Sequence, residues 1–300
     1  MLSLTFQRSL FVSVAITLVL VGAFAPRPPS QVELVVALAL IVFLGVPHGA
    51  LDILFLRKVR GIQSKSQISY LVCGYLAISA AVVAIWLMSP LIFLIAFLVA
   101  SGFHFSGDPI KGTSVLARVA IGVGVITLPS IMHGAELQNL YSLLTNVSVA
   151  QTTVQISLPL AWLALVLGGL AIIVEMKNGR YATAVELVVI GLNATFAPPL
   201  LAFTVYFCLM HSARHILRTA ELVEMPKRAF AIECVLPMVG VLVTGAIAWR
   251  FSGSLSLDAK AIQIVFVTLA ALTAPHMFVV EPVRFGGWKD INGKTPGSAT

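Results

Sequence analysis

Six histidines are the residues in this sequence best suited to chemistry: His48, His104, His133, His211, His215 and His276. The sharpest local pattern is His211-Ser-Ala-Arg-His215, because residues four apart share one face of a helix and both imidazoles can then point at one ion. A second pattern occurs twice, His48 to Asp52 and His104 to Asp108. A carboxylate near a metal-bound histidine commonly accepts the other ring N–H, which fixes the tautomer. Asp52, one turn beyond His48, is placed to do this either directly or for a neighbouring helix. Asp108 is followed by Pro109, which pushes it out of helical geometry and leaves a plain helix-end role equally open. A site of neutral imidazoles suits iron, copper, zinc or nickel rather than magnesium or calcium. Arg214, inside the histidine pair, is expected to answer a buried carboxylate or to turn to lipid headgroups.

The elements that must position these groups are apolar helices. In 300 residues, 59% are hydrophobic and 10% charged, and the mean hydropathy is +1.00, which excludes an ordinary soluble globule. About ten stretches are long enough to cross a bilayer, at 9–25, 32–56, 68–88, 90–106, 115–133, 155–174, 182–197, 199–217, 230–249 and 261–281. The fold class is therefore all-α, a polytopic membrane protein with one helical domain over residues 1–283 and a polar tail over 284–300. The joins at Ser89-Pro90 and Pro198-Pro199 are tight and could instead be kinks in bent helices. The first span imitates a secretory signal up to Ala25, but Pro26 directly after it argues for a retained helix.

Basic residues exceed acidic ones, 19 to 12, yet they are scattered through short loops, which suits topology signals and anionic headgroups rather than nucleic acid. Ten crossings put Arg57, Lys58, Lys111, Lys177, Arg180, Arg218, Lys227 and Arg284 on one side and only Arg27, Arg250 and Lys260 on the other. The positive-inside rule then makes both termini cytoplasmic, in an inner (plasma) membrane. Under this topology five histidines gather in the cytoplasmic half, while His133 ends the fifth helix near the opposite face, with Glu136 beside it. Ionisable groups at such depth are costly and are functional candidates. Phe103, Phe105, Tyr206, Phe207, Met210, Met277 and Phe278 are weaker candidates for a substrate pocket, since such residues also fill helix interfaces. Cys73, Cys208 and Cys234, with no paired spacing, read as core packing.

Gly45-Val-Pro-His48-Gly-Ala-Leu-Asp52, Gly102-Phe-His104-Phe-Ser-Gly-Asp108, His211-Ser-Ala-Arg-His215 and Pro275-His276-Met277, in this order, resemble the Brp/Blh family of bacterial and archaeal β-carotene 15,15′-dioxygenases. The resemblance covers nearly the whole chain. It implies a membrane enzyme that uses Fe(2+) and O2 to cleave β-carotene at its central double bond into two molecules of retinal. Carried over by motif, the catalytic iron ligands are His48, His104, His211 and His215, with His276 as a further ligand or a supporting group. Pro129 to Glu136 also resembles a family feature, which leaves the role of His133 open. Physically, β-carotene is an apolar rod about as long as the hydrocarbon core is thick, ~30 Å, and partitions into the bilayer.

Rival readings are a di-iron desaturase, a metal or proton transporter, and a non-catalytic factor assisting assembly of a retinal protein. The first needs more clustered histidines than six. The second needs a polar path, and only Glu186, Asn193 and His133 offer polarity elsewhere.

Overall fold

The structure, a computed structural model, describes residues 3–24, 30–62 and 64–285. The expected polar tail, apart from its first two residues, and the Ala25-Pro26 junction lie outside them. Among the described residues every element is helical: α1 (Leu4–Phe24), α2 (Ser30–Leu40), α3 (Asp52–Arg60), α4 (Lys65–Met88), α5 (Pro90–Phe105), α6 (Val115–Thr127), α7 (Pro129–Leu144), α8 (Val147–Lys177), α9 (Tyr181–Phe196), α10 (Pro199–Val205), α11 (Ala213–Val223), α12 (Lys227–Phe251) and α13 (Leu257–Phe285). Two junctions are not α-helical. A π-helical turn (Ile41–Gly45) and a 3₁₀ turn (Val46–Leu51) join α2 to α3, and a second π-helical segment (Tyr206–Ser212) joins α10 to α11.

Eight segments are long and apolar enough to cross a membrane. Two of the ten expected spans are shorter: α5 and α9 have 16 residues each, about 24 Å of helix against a hydrocarbon core of ~30 Å. The fifth expected span does not end at His133. Helix continues through α7 to Leu144, and His133 sits at a kink with φ −125° and ψ 30°. Proline supplies the punctuation: Pro129, Pro90 and Pro199 each open a helix, where the missing N–H costs nothing. Ser89 and Ala197 are non-helical, so the joins before α5 and α10 are true breaks.

The core runs between α1, α5, α6, α10 and α13, around Phe11, Phe93, Phe105, Ile121, Tyr206 and Ile262. Helices α4 and α12 have no buried residue and form the periphery. Cys73, on α4, is accordingly exposed, contrary to the core role expected for it, whereas Cys208 is buried. Two contacts depend on glycine. A Cβ on Gly122 would lie 2.2 Å from Gly102 O, so α5 and α6 cross backbone to backbone just before His104. A Cβ on Gly45 would lie 2.3 Å from the Phe207 ring, so the two π-helical segments touch only because that side chain is absent.

Candidate metal centre

Five histidines meet where the two irregular junctions approach α5 and α13. His48 comes from the 3₁₀ turn, His104 from the end of α5, His211 from the second π-helical segment, His215 from α11 and His276 from α13. All five are buried. Ring centroids are 4.9 Å apart for His48 and His211, 4.7 Å for His104 and His211, 5.0 Å for His104 and His276, and 5.3 Å for His215 and His276. One donor atom each from His48, His104 and His276 lies within 4.8 Å of the other two. His133 is elsewhere, with Nε2 3.2 Å from Phe196 O and Nδ1 3.6 Å from Glu136.

The partners of the ring nitrogens decide what the cluster can do. His48 Nδ1 donates to Gly45 O at 2.6 Å, and Ser212 Oγ lies 3.0 Å from the same nitrogen. His211 Nδ1 donates to Asp108 Oδ1 at 2.9 Å and His276 Nδ1 to Asp52 Oδ1 at 2.7 Å, whereas His104 Nδ1 has both Glu281 Oε1 at 2.6 Å and the donating Arg284 Nη1 at 2.7 Å beside it. A carbonyl or carboxylate oxygen only accepts, so for His48, His211 and His276 the proton belongs on Nδ1 and the lone pair is left on Nε2. Nε2 of His104, His211 and His276 is buried without any hydrogen-bond partner in the protein. Buried polar atoms are rarely left so, and bare imidazole nitrogens within a histidine cluster fit a metal ion of the iron-to-zinc group. His215 Nε2 lies 3.4 Å from Thr219 Oγ1.

The supporting carboxylates are themselves held. Asp52 accepts from Tyr75 at 3.1 Å, and Asp108 from Tyr206 at 2.7 Å. Arg284 donates to Glu281 at 2.8 Å and to His104 O at 2.7 Å, through a gap that Gly107 leaves open. Burial alone would raise the Asp108 carboxyl. The His211 ring, Arg284 and the Tyr206 hydroxyl outweigh it and bring Asp108 down to about 2. Arg214 and Arg218 fix the same residue's backbone, donating to Asp108 O at 3.2 and 3.0 Å. Arg214 answers the buried carboxylate of Glu186 at 2.7 Å and Gln7 at 3.1 Å, so the headgroup alternative does not hold. Glu186 is also bound by Arg8.

An apolar cavity of about 100 Å³ adjoins the histidines, with Leu94, Tyr141, Asn193 and Tyr206 in its wall. A smaller pocket of about 10 Å³, lined by His48, His104 and His211, shares Phe97, Ser101 and Phe203 with it. Phe105, Tyr206 and Phe207 do line these spaces. Phe103 and Phe278 do not: both are exposed, because each lies two residues, about 200° of helix, from the inward Phe105 and His276. Met210 is buried but turned to Gln7, and Met277 is not in either wall.

Five of the six histidines thus converge, His133 being the exception, and Asp52 serves His276 on a neighbouring helix rather than its own His48. Sequence reasoning missed Glu281, Tyr75 and Arg284. An acid within an apolar span is a usable signal for Glu281. Arg284 opens a polar stretch and was assigned to the tail, but it belongs to α13 and turns inward.

Residues 39–283 match the sequence profile of the β-carotene 15,15′-dioxygenase family. The chain belongs to that family. It is 29% identical over 264 residues, 82% of this chain and 92% of the relative, to the β-carotene 15,15′-dioxygenase of uncultured marine bacterium 66A03. It is 24% identical over 280 residues, 80% of this chain and 81% of the relative, to the probable β-carotene 15,15′-dioxygenase Blh of Halobacterium salinarum. No solved structure matches it.

Proposed function

We propose that this member of the β-carotene 15,15′-dioxygenase family cleaves β-carotene at the central double bond with O2, giving two molecules of retinal. The observation that carries this reading is the buried cluster of bare imidazole nitrogens opening onto an apolar cavity, in a chain whose family is defined by that reaction. His48, His104, His211 and His215 would hold iron(II), with His276 as a fifth donor. Iron(II), when bound, supplies the electron chemistry that lets O2 react with a polyene.

The chain's own residues do the rest. Asp108 and Asp52 keep the protons of His211 and His276 on Nδ1 and so keep each Nε2 basic, while Glu281 and Arg284 together hold the His104 ring. Phe97, Phe203 and Phe207 exclude water from the histidines and leave a slot for an apolar rod. The cavity wall fixes how far the polyene enters, which selects the bond brought to the histidines. Membrane residence supplies the substrate by partitioning, and the one-sided basic loops support cytoplasmic termini in an inner membrane.

Expression in cells that accumulate β-carotene tests the reading. Loss of the carotene colour with formation of retinal is expected, and removal of iron by a chelator should stop it until iron(II) is restored. An assembly factor would leave the colour in place.

A further inference from the structure

The buried residues of α1 are Gln7, Phe11 and Ala15, four apart and so on one face of the helix. Phe11 meets the Tyr206 ring edge-on at 6.3 Å, where the second π-helical segment begins. Gln7 reaches further along that segment. It is 3% exposed, and its Nε2 donates to Leu209 O at 2.6 Å while its Oε1 accepts from Arg214 Nε at 3.1 Å. A flipped amide would set oxygen against oxygen at one end and donor against donor at the other, so both contacts fix its orientation.

Both partners are tied to His211. In a continuous α-helix the Ala213 N–H would bond Leu209 O, but here it turns to Cys208 O and Met210 O. The π-helical turn thus takes from Leu209 O its α-helical partner, and Gln7 donates to that oxygen from another helix. Irregular backbone at membrane depth persists where protein supplies such a partner. Arg214 provides the second grip, because it donates to Asp108 O and the Asp108 carboxylate accepts from His211 Nδ1. Leu209 lies two residues before His211 and Arg214 three after it, so Gln7 holds the chain on both sides of that histidine. We propose that Gln7 is a positioning residue of the metal centre, which fixes the π-helical turn through the Leu209 carbonyl and so aims the His211 imidazole. This rests on the reading of the histidines as metal ligands.

The test is metal binding, read without turnover from the visible absorption of cobalt(II), whose bands report its ligand number and geometry. Full-length wild type, Gln7→Leu and Gln7→Glu are purified in detergent, stripped with a chelator and titrated with cobalt(II) alone, and each preparation is also melted. Gln7→Leu removes both hydrogen bonds. Gln7→Glu still accepts from Arg214 but sets a carboxylate oxygen against Leu209 O. Losing a group that supports a ligand directly costs about 10- to 100-fold in metal affinity, and Gln7 acts one step further out, so both variants should bind cobalt(II) roughly three- to tenfold more weakly, with altered bands. Wild-type affinity and bands in Gln7→Leu, with only a lower melting temperature, would overturn the proposal, as would failure of both variants to fold. Normal binding by Gln7→Glu would overturn the role given to the Leu209 carbonyl. A wild type that takes up no cobalt(II) sinks the metal centre itself.

Discussion

The segments Ser30–Val59 and Pro199–Val223, and the helices α8 and α12, all have the length and apolarity to cross a bilayer, but they are built differently. The first two break into π and 3₁₀ turns, and they carry His48, His211 and His215. The other two hold Pro159 and Pro237 in their interiors, remain α-helical, and carry no histidine. Proline is therefore not what makes backbone irregular here. Burial separates the pairs: 44 and 67% of the broken segments' apolar windows are buried, against 22% for α8 and 0% for α12. Lipid offers no partner for a freed N–H or C=O, so irregular backbone survives only where protein supplies one. The Gly45 carbonyl at such a junction also accepts the His48 Nδ1–H. Turns of this kind are frequent at functional sites.

The largest expected effect tests the broken pair directly. His211→Ala and His215→Ala should each lower retinal formation by more than about 100-fold, and purified wild type should hold about one iron per chain. Since imidazoles cost little packing, both variants should still fold. His276→Ala sharpens the ligand set: iron lost as in His211→Ala makes it a donor, and iron retained makes it a support. His133→Ala, outside the cluster, should cause a milder loss.

Next in size is the ion pair that braces the second broken segment. Glu186→Ala leaves Arg214 buried and uncompensated and should destabilise the protein by about 3–5 kcal/mol, read as reduced resistance to unfolding in detergent. A change within experimental error would show that Gln7 and Asp108 O suffice for Arg214.

Asp52→Asn keeps the shape but weakens the acceptor for His276, and should cost about 10- to 100-fold in iron affinity or activity. A variant that only melts earlier, with iron per folded molecule unchanged, would reduce Asp52 to a structural anchor for Tyr75.

The smallest effect separates the two kinds of helix most cleanly. Gly45→Ala should destabilise by about 1–3 kcal/mol and loosen iron, because its Cβ meets the Phe207 ring. Gly240→Ala, on α12, meets nothing within 4 Å and should be neutral or stabilise by up to about 1 kcal/mol. Equal effects of the two substitutions would contradict the distinction.

Much of this was determined by sequence alone. Hydropathy gave an all-α membrane chain, because only helices whose backbone is satisfied internally can pass lipid as single segments. Histidine spacing and span order placed five imidazoles together and set His133 apart, since these follow from helix direction. Tertiary structure decided the rest. Helix α5 ended within one residue of its expected limit, but α7 continued the helix beyond His133, because boundaries depend on what each end packs against. Asp52 was legible as a support but not its partner, as the choice between His48 and His276 is made across helices. Glu281 and Arg284 reach His104 from about 180 positions away, and no local pattern encodes so distant a contact. The π-helical turns were invisible too, because two segments impose them on each other at Gly45 and Phe207, a contact that exists only once the chain has folded.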